Sequence, residues 1–433
     1  MKRIAIVGSG IAGLAAARGL ARFARVTLYE AGDHFGGHTH TVDVTLERRT
    51  HGVDTGFLVF NERNYPLLTA LFAELGVETA AADMSFSAQI PAAGIEWSGS
   101  SVAGVFAQRS NLLRPAFWNM LAEIGRFNRI ATRLVRDGAL RGRAGLDDGV
   151  GDFLDDHRFS SAFRDWYFLP MIGSIWSCPT EQMLLFPIVP LLHFCANHGL
   201  LQIRGRPQWR SVRGGASTYV DKMLDAIPDA RLATPVRQIR RLAGGGVDVL
   251  TAQGSERYDT VVLACHSDQS LALLADPSED EREILGAIRW QRNRAVLHSD
   301  ARALPERKDA WAAWNYEAPR DPEAATAVCV HYLLNRLQSL PFATPVIVSL
   351  NPLYEPASAL VQGEFHYAHP VFDRRAIAAQ ARLATVQGRG DLWYCGAWTG
   401  HGFHEDGLAS ALAVCEAIGG DAGSPAAAAT ARR

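Results

Sequence analysis

Lysine is almost absent from this sequence, which has only Lys2, Lys222 and Lys308 among its 43 Lys and Arg residues. This leaves few candidates for a catalytic amine. An excess of positive charge is missing as well, because the formal net charge is -2. A surface that binds nucleic acid needs clustered Lys and Arg in excess. We therefore expect no nucleic-acid partner.

Paired cysteines and membrane-length apolar runs are missing too. The six cysteines include no C-x-x-C pair, and their spacing predicts neither a disulfide framework nor a metal site. Residues 183–203 are interrupted by Pro187 and Pro190, so they fall short of the ~20 apolar residues that a spanning helix needs. Residues 4–7 lead into a glycine-rich turn rather than a cleavage site, which predicts no signal peptide. We expect a cytoplasmic location and leave peripheral contact with the inner face of the membrane open.

The N-terminus carries a complete dinucleotide-binding pattern. Residues 2–7 predict a buried strand, which leads into Gly8-Ser-Gly10-Ile-Ala-Gly13 and a helix of small apolar residues. Gly8 allows the tight turn, Gly10 lets the backbone approach a pyrophosphate, and Gly13 lets the helix pack closely on the sheet. A second predicted strand ends at Glu30, whose carboxylate is placed to accept hydrogen bonds from ribose hydroxyls.

The segment after the second strand indicates which dinucleotide is bound. It reads Glu30-Ala-Gly-Asp-His-Phe-Gly36-Gly37-His38-Thr39 and resembles the extended fingerprint of the flavin amine oxidase, phytoene desaturase and protoporphyrinogen oxidase superfamily. In that superfamily the glycine pair wraps the diphosphate of FAD, and Arg usually stands where this chain has His38. A histidine can still donate a hydrogen bond to a phosphate, but its charge depends on pH.

Three later segments extend the resemblance. Residues 52–57 resemble the segment that runs beside the flavin, and residues 213–264 resemble the return of the chain to the FAD domain. Residues 391–408 resemble the closing strand, its glycine and the loop over the flavin, before a helix predicted to begin at Ala409. The superfamily often has Asp after that glycine, where this chain has Ala397.

The resemblance implies an α/β fold, in which a Rossmann-like FAD-binding domain of the glutathione-reductase type carries an inserted α+β substrate domain. The FAD domain is expected at 1–75, 205–290 and 385–420, the substrate domain at 76–204 and 291–384, and a disordered tail at 421–433. The implied FAD contacts are Gly8, Ser9, Gly10, Ala12, Gly13, Glu30, Ala31, Gly36, Gly37, His38, Thr39, Thr55, Gly56, Val236, Gly396, Asp406, Gly407 and Leu408.

Catalytic residues are harder to assign, because a flavin takes up a hydride without help from a protein nucleophile. His401, His404 and Glu405 flank the loop over the flavin and are our candidates. Amine oxidases of the superfamily usually carry a lysine linked through water to the flavin. Lys308 is the only candidate for it here, and its surroundings read as an exposed loop. This favours C–C desaturation, or a related hydride removal, over amine oxidation.

The predicted insert is rich in bulky apolar residues, which form core, line an elongated apolar cavity or contact a bilayer. Two short motifs, at 402–407 and 311–316, most resemble a bacterial group of FAD/NAD-binding proteins associated with cyclopropane and methylated (furan) fatty acid synthesis. We therefore predict an FAD-dependent oxidoreductase that removes a hydride from an apolar, fatty acyl-like substrate. An amine oxidase and a flavoprotein without net redox turnover, such as a mutase or lipid-binding protein, remain alternatives. No residue identifies the electron acceptor.

Overall fold

The computed structural model describes residues 1–137, 148–202, 205–321 and 327–419. Its first sheet has five strands, and every neighbouring pair is parallel. Parallel strands covered on both faces are expected to be apolar runs, and the side chains from Ile4 to Val7 are all buried. The strand order is Asp229–Arg231, Arg25–Tyr29, Arg3–Val7, Thr260–Leu263 and Leu392–Tyr394.

The first helix, Ile11–Leu20, packs against the last helix, His404–Gly419. A Cβ atom at Gly13 would lie 1.8 Å from the carbonyl oxygen of Gly8. Only glycine therefore fits at this position of the helix, where the helix packs on the preceding turn. The prediction that the last helix begins at Ala409 was wrong. The amide of Phe403 donates to the Asp406 carboxylate at 3.0 Å, and this capping interaction lets the helix begin at His404.

The second large sheet is mixed and has seven strands. Trp314–Glu317 pairs in parallel with Phe86–Ile90, and the remaining pairs are antiparallel. Cross-strand pairing places Trp314, Tyr332 and Val348 on one face. The strand order is Val361–Val371, Arg289–His298, Ile347–Leu350, Cys329–Leu333, Trp314–Glu317, Phe86–Ile90 and Ile95–Ser98.

Smaller sheets and helices surround these two sheets. The remaining strands are Thr41–Leu46 with Arg49–Asp54, Phe60–Asn61 with Trp209–Val212 and Thr79–Ala82, and Gln238–Arg241 with Val247–Thr251 and Gly254–Tyr258. The remaining α-helices are Pro66–Glu74, Val102–Val105, Pro115–Arg136, Val150–Asp156, Ser161–Phe163, Leu169–Trp176, Thr180–Leu184, Ile188–Asn197, Ser217–Leu224, Ser267–Leu273, Glu279–Leu285, Leu334–Leu337 and Arg374–Arg382.

The parallel sheet draws its strands from the two ends and the middle of the chain, whereas the mixed sheet draws on segments between them. This is the predicted α/β class, with a Rossmann-like unit and an inserted α+β unit. The exact domain boundaries stay a prediction, and the predicted tail at 421–433 lies outside the described residues. Within the described part of the chain, no helix is both long and apolar enough to cross a membrane.

Candidate functional site

A cavity of about 700 Å³ runs from the carboxyl ends of the parallel strands to the mixed sheet. Gly8, Glu30 and Gly37 line one part, and Trp176 and Trp314 line another. Ligands of open α/β sheets bind at the carboxyl ends of the strands, and this volume is typical of a cofactor or small-molecule site. The cavity is therefore our candidate active site.

Most of the predicted cofactor contacts lie in the wall of this cavity. Glu30 is held in place there, because its carboxylate accepts hydrogen bonds from the amide and hydroxyl of Ser9 at 3.0 and 2.5 Å and from the Gly32 amide at 2.8 Å. The predicted residues that line the cavity are Gly8, Ser9, Gly10, Ala12, Glu30, Ala31, Gly36, Gly37, His38, Thr55, Gly56, Val236 and Gly396.

The glycine-rich turn has room for a diphosphate. A Cβ atom built on Gly10 would meet nothing within 4 Å, so the space in front of this backbone is open. The turn precedes the N-terminus of Ile11–Leu20, whose unpaired amides and positive dipole end attract phosphate oxygens. The buried Nε2 atom of His38, in the same cavity, has no hydrogen-bond partner among the described residues. An open glycine turn, the carboxylate of Glu30 at the end of the second strand and an unsatisfied imidazole together fit FAD.

Three imidazoles in the cavity wall form what we call the histidine cluster: His38, His266 and His369. The ring of His38 lies 5.2 Å from that of His369 and 6.4 Å from that of His266. Burial lowers the pKa of His38 to about 4 and those of His266 and His369 to about 3. The cluster is therefore neutral at pH 7 and offers hydrogen-bonding groups without charge.

Sequence reasoning did not predict His266 as a site residue. It follows the strand Thr260–Leu263, and its ring stacks on Trp290 at 3.7 Å. Its place after the carboxyl end of a predicted parallel strand is the feature that could have identified it. No comparable pattern marks His369, whose Nδ1 atom lies 3.1 Å from the side-chain amide of Asn293.

The candidate catalytic residues do not share one environment. The His404 ring stacks on Phe57 at 3.8 Å, lines the cavity and has its pKa lowered to about 3 by burial. His401 also lines the cavity but is solvent-exposed. Glu405 lies outside the cavity wall and is only 4% exposed. Its carboxylate accepts hydrogen bonds from the amides of Leu67 and Leu68 at 2.9 and 3.0 Å.

These two hydrogen bonds place Glu405 at the N-terminus of the helix Pro66–Glu74, where a carboxylate satisfies free amides and the helix dipole. Its contacts are those of a helix cap rather than of a group facing a cofactor. Only His401 and His404 of the three candidates are therefore close to the cavity.

The predicted flavin contacts Asp406, Gly407 and Leu408 are not among the residues that line the cavity, and they stay a prediction. The early start of the last helix explains this: the Gly407 amide already donates to the Phe403 carbonyl at 3.1 Å. The residues of this segment that do line the cavity are Gly402, Phe403 and His404.

Two other predicted contacts are one step removed from the cavity. Gly13 packs against the carbonyl of Gly8. Thr39 is buried, and its hydroxyl lies 2.5 Å from that of Tyr219 and 3.0 Å from Nε2 of His404. Both residues support the wall rather than form it.

Asp54 organises the predicted flavin-side segment without reaching the cavity. Its carboxylate accepts hydrogen bonds from the Thr41 hydroxyl at 2.6 Å, the Ala216 amide at 2.8 Å and the Gln338 side-chain amide. Burial raises the pKa of Asp54 to about 7, against these three hydrogen bonds. Thr55 and Gly56, which follow directly, do line the cavity.

None of the three lysines, all within the described residues, lines the cavity. The ammonium group of Lys308 lies 5.7 Å from the centre of the Trp311 ring, and that of Lys222 donates to the carbonyls of Leu75 and Gly76. Lys308 is exposed, as predicted, but it lies in the short helix Lys308–Ala310 rather than in a loop.

Side chains of the types that bind metal ions also lie close together away from the cavity. Glu317, Cys329 and His331 have their ligand atoms within 4.8 Å of one another. His331 already has hydrogen-bond partners on both sides, since Nε2 lies 3.0 Å from Glu317 and Nδ1 lies 2.6 Å from the Ser349 hydroxyl. Both nitrogen atoms of this imidazole therefore have hydrogen-bond partners within the protein.

The part of the cavity next to the mixed sheet is apolar. Its wall includes Met84, Ile175, Leu200, Val348 and Leu350. Several aromatic residues complete it, among them Trp176 of the predicted apolar insert and Trp314 of the motif at 311–316. The fold brings these side chains together in the same cavity as the glycine-rich turn.

Known proteins resemble this chain in sequence and in fold. It is 30% identical over 319 residues to the carotenoid phi-ring synthase of Streptomyces griseus, and the match covers 68% of this chain and 57% of that relative. The chain thus spans a little over half the length of this relative. The fold is similar to the CLA-producing fatty acid isomerase of P. acnes, with a TM-score of 0.65 and 17% identity over 96% of this chain and 98% of the other.

A further structure with this fold is the cyclohexylamine oxidase of Brevibacterium oxydans IH-35A, with a TM-score of 0.67 and 16% identity over 96% of this chain and 99% of the other. The family model described as flavin containing amine oxidoreductase matches residues 11–293. This range begins within the glycine-rich segment Gly8–Gly13, after Gly8 and Gly10, and includes most of the cavity wall. The prediction of FAD is thereby confirmed, and the chain belongs to the flavin-containing amine oxidoreductase family as an FAD-dependent oxidoreductase.

Proposed function

We propose that this protein removes a hydride from a C–H bond of an apolar, lipid-like substrate, as a desaturase or oxidase of fatty acyl chains. The observation that carries the proposal is the continuity of the cavity: the cofactor-binding turn at Gly10 and the apolar wall at Leu200 and Leu350 belong to one space. FAD accepts a hydride from a C–H bond held against it.

The chain's own residues position the substrate and exclude water. The apolar wall around Ile175, Val348 and Leu350 favours a hydrocarbon chain and excludes water. The imidazole of His404, held between Phe57 and Thr39, borders the same space without carrying charge. Such a site orients a substrate by shape and needs no protein nucleophile.

Amine oxidation is the weaker alternative. The lysine expected of amine oxidases in the superfamily is missing from the described cavity wall, since Lys2, Lys222 and Lys308 all lie elsewhere. Cyclohexylamine oxidase shares the fold, but at 16% identity this is a likeness of fold only. A flavoprotein without net redox turnover is the second alternative, and one structure with this fold is named as a fatty acid isomerase.

Anaerobic mixing separates the three activities. FAD-loaded protein is mixed with phospholipid carrying unsaturated or methylated chains, with primary and secondary amines, or with buffer alone. We expect the oxidised flavin absorption to bleach with the lipid. Bleaching by amines alone would replace the proposal with amine oxidation. Lipid conversion that occurs only after prior reduction of the flavin, with no bleaching by any donor, would indicate an isomerase or mutase.

We also propose that an exposed apolar patch contacts an anionic bilayer. The patch consists of Val102, Leu112, Leu113 and Trp118, of which Leu113 is 87% and Val102 78% exposed. A depression close by is lined by Arg109, Arg307 and Lys308 together with one acidic residue, Asp309, since the helix Val102–Val105 packs against Lys308–Ala310. Apolar side chains beside cations suit a surface of anionic headgroups over acyl chains.

Vesicle sedimentation tests this contact. Protein is spun with vesicles of neutral phosphatidylcholine or of phosphatidylcholine with phosphatidylglycerol. We expect binding to the mixed vesicles, which Leu113→Glu abolishes. Leu353→Glu, at another exposed leucine, is the matched control and should bind normally. Equal recovery of wild type and Leu113→Glu with the mixed vesicles would contradict the proposed membrane contact of the patch.

The proposal includes the predicted domain boundaries. The FAD domain comprises 1–75, 205–290 and 385–420, and the substrate domain comprises 76–204 and 291–384. They agree with the parallel sheet lying in the first set and most of the mixed sheet in the second. Hydrogen exchange with and without FAD tests them. We expect protection on FAD binding to concentrate in the first set.

A further inference from the structure

A group of polar side chains lies on the face of the mixed sheet that is turned away from the cavity. Residues two apart in a strand share a face, so Cys329 and His331 lie on the same side, and Glu317 pairs directly with Cys329 on the neighbouring strand. Tyr332, which follows His331, lines the cavity on the opposite face. Cys329 and His331 are buried, whereas the side chain of Glu317 is 17% exposed.

The three side chains bring a sulfur, a nitrogen and an oxygen atom close together. Nε2 of His331 lies 3.4 Å from Sγ of Cys329 and 3.0 Å from Oε2 of Glu317. A tetrahedral zinc ion with a Zn–S distance of about 2.3 Å and Zn–N and Zn–O distances of about 2.1 Å holds its ligand atoms about 3.4–3.6 Å apart. Movements of about 1 Å or less, chiefly of the partly exposed Glu317, therefore complete this geometry.

The hydrogen bonds behind His331 orient its ring as a metal site requires. Burial lowers the pKa of His298 to about 4, so this ring is neutral at pH 7. The Asp300 amide donates to Nδ1 of His298 at 3.1 Å, so Nε2 carries the hydrogen and donates to the Ser349 hydroxyl at 2.7 Å. The second lone pair of this hydroxyl can accept from Nδ1 of His331, 2.6 Å away. Nε2 of His331 then offers its lone pair to a metal.

Hydrogen bonds alone do not explain the position of the Cys329 thiol. Without a metal, Nε2 of His331 carries at most one hydrogen, and Glu317 is the closer acceptor for it. The thiol then lies against a nitrogen that donates elsewhere. A thiolate, a carboxylate and a neutral imidazole together carry two negative charges, and one divalent cation balances both of them. Buried charges are tolerated when they are paired or bound to a metal.

We propose that Glu317, Cys329 and His331 bind one zinc ion, with a water molecule as the fourth ligand. Thiolate and imidazole ligands favour zinc over magnesium or calcium, and zinc accepts a carboxylate oxygen beside them. The exposed part of Glu317 gives the ion and its water a path from solvent. The spacing of the cysteines does not predict this site, because only the pairing of two strands brings Glu317 to Cys329.

The position of the ion in the mixed sheet assigns it a structural role. It ties Trp314–Glu317 to Cys329–Leu333 at the end of their pairing. The opposite face of the same two strands carries Trp314 and Tyr332 into the cavity wall. Zinc therefore stabilises the wall of the candidate active site from behind, without contact with the space that the cofactor and substrate would occupy.

Zinc binding is measured on FAD-loaded protein that has been treated with a chelator and then dialysed. Titration with zinc in competition with a chromophoric chelator gives the stoichiometry and the dissociation constant. We expect one ion per chain, with a dissociation constant of about 1 μM or tighter. Cobalt should produce a thiolate-to-cobalt charge-transfer absorption, read as a difference from FAD-loaded protein without cobalt. Absence of binding at free zinc well above micromolar would overturn the proposal.

Variants of single ligands show where the metal binds. Cys329→Ser and Glu317→Gln should each weaken zinc binding at least about a hundredfold, because loss of a ligand costs no less than loss of its supporting partner. Cys329→Ser should also abolish the charge-transfer absorption. Cys415→Ser is the control, since this partly buried thiol lies 3.6 Å from the Ala16 carbonyl, and it should bind zinc as wild type does. Equal zinc affinity of Cys329→Ser and wild type would overturn the assignment.

Thermal unfolding with and without chelator tests the structural role. Zinc that binds only the folded chain raises its stability, so chelation should lower the Tm of zinc-loaded wild type by several degrees. Glu317→Gln, at a partly exposed position that tolerates substitution even if Cys329→Ser fails to fold, should not respond to chelator. Bound zinc that leaves the Tm unchanged would overturn the structural role. None of these measurements uses a substrate, so their outcome is independent of the proposed function.

Discussion

Nε2 of His404 lies 3.0 Å from the hydroxyl oxygen of Thr39, a residue 365 positions earlier in the chain. The same hydroxyl lies 2.5 Å from the Tyr219 hydroxyl. This buried threonine therefore joins the segment after the second strand, a helix of the middle region and the start of the last helix. The two stretches whose resemblance indicates FAD meet at this residue.

Thr39→Val tests the importance of this junction. It removes the hydroxyl at nearly constant volume and leaves the Tyr219 hydroxyl without its partner, so we expect a loss of about 1–3 kcal/mol in the free energy of unfolding. Thr39→Ser retains the hydroxyl and should lose less than about 1 kcal/mol. Urea unfolding measures both. Similar stabilities of Thr39→Val and Thr39→Ser would show that the hydroxyl is unimportant.

Gly10→Ala should separate cofactor binding from folding. The new methyl group meets no protein atom within 4 Å, and Gly10 has an ordinary φ of -60°. We therefore expect normal stability without FAD but at least about tenfold weaker FAD binding, because the methyl group occupies the space needed by the diphosphate. Gly125→Ala, in the helix Pro115–Arg136 with equally open space, is the control. Flavin titration measures the affinity, and unchanged affinity for Gly10→Ala would contradict the assigned diphosphate position.

Glu405→Gln distinguishes a helix cap from a catalytic acid or base. The neutral amide weakens the two hydrogen bonds from Leu67 and Leu68, so we expect a loss of about 1–3 kcal/mol in the free energy of unfolding. The rate of anaerobic flavin reduction should stay within about twofold of wild type, because Glu405 does not line the cavity. A rate decrease of a hundredfold or more with unchanged stability would restore the catalytic assignment.

The histidine cluster should make the protein sensitive to acid. Each imidazole has a folded-state pKa below the ordinary value of 6.5, near 4 for His38 and near 3 for His266 and His369. Their contribution to stability is complete above pH 6.5. It is lost as the pH falls toward these lowered values, since only the unfolded chain takes up the protons. We expect a decrease of up to about 1.4 kcal/mol per pH unit for each histidine.

His266→Phe checks this prediction, because the phenyl ring can keep the stacking on Trp290 and cannot be protonated. The stability of this variant should fall less steeply with acid than that of wild type. His366→Gln changes an exposed histidine and serves as the control. Chemical unfolding at a series of pH values gives the slopes, and parallel slopes for His266→Phe and wild type would refute the assignment.

Local patterns account for the parts of the fold that could be predicted. The strand, the glycine turn and the helix up to Leu20 lie next to one another in sequence, so their spacing alone predicts Gly8, Gly10 and Glu30 in the cofactor site. The last helix shows the limit of this reasoning. Its start depends on the side chain of Asp406 reaching back to the Phe403 amide, and a pattern that also reads as a loop places the start five residues late.

The rest of the site depends on contacts that no local pattern reports. Trp176 lies at the end of a helix and Trp314 at the start of a strand, and they come together only through Ser177 and Tyr332. His369 likewise meets His38 only because the long strand Val361–Val371 pairs with Arg289–His298 beside the cavity. Apolar composition predicts that such residues are buried, but not which of them border a cavity.

The position of the strand Leu392–Tyr394 beside Thr260–Leu263 has a consequence for biosynthesis. A ribosome has to synthesise the chain through Gly419 before this edge of the parallel sheet and its covering helix exist. Until then the growing polypeptide presents the apolar side of Ile11–Leu20 to solvent, where it is available to chaperones and prone to aggregate. The cavity wall is therefore complete only after residues as late as His404 have been synthesised.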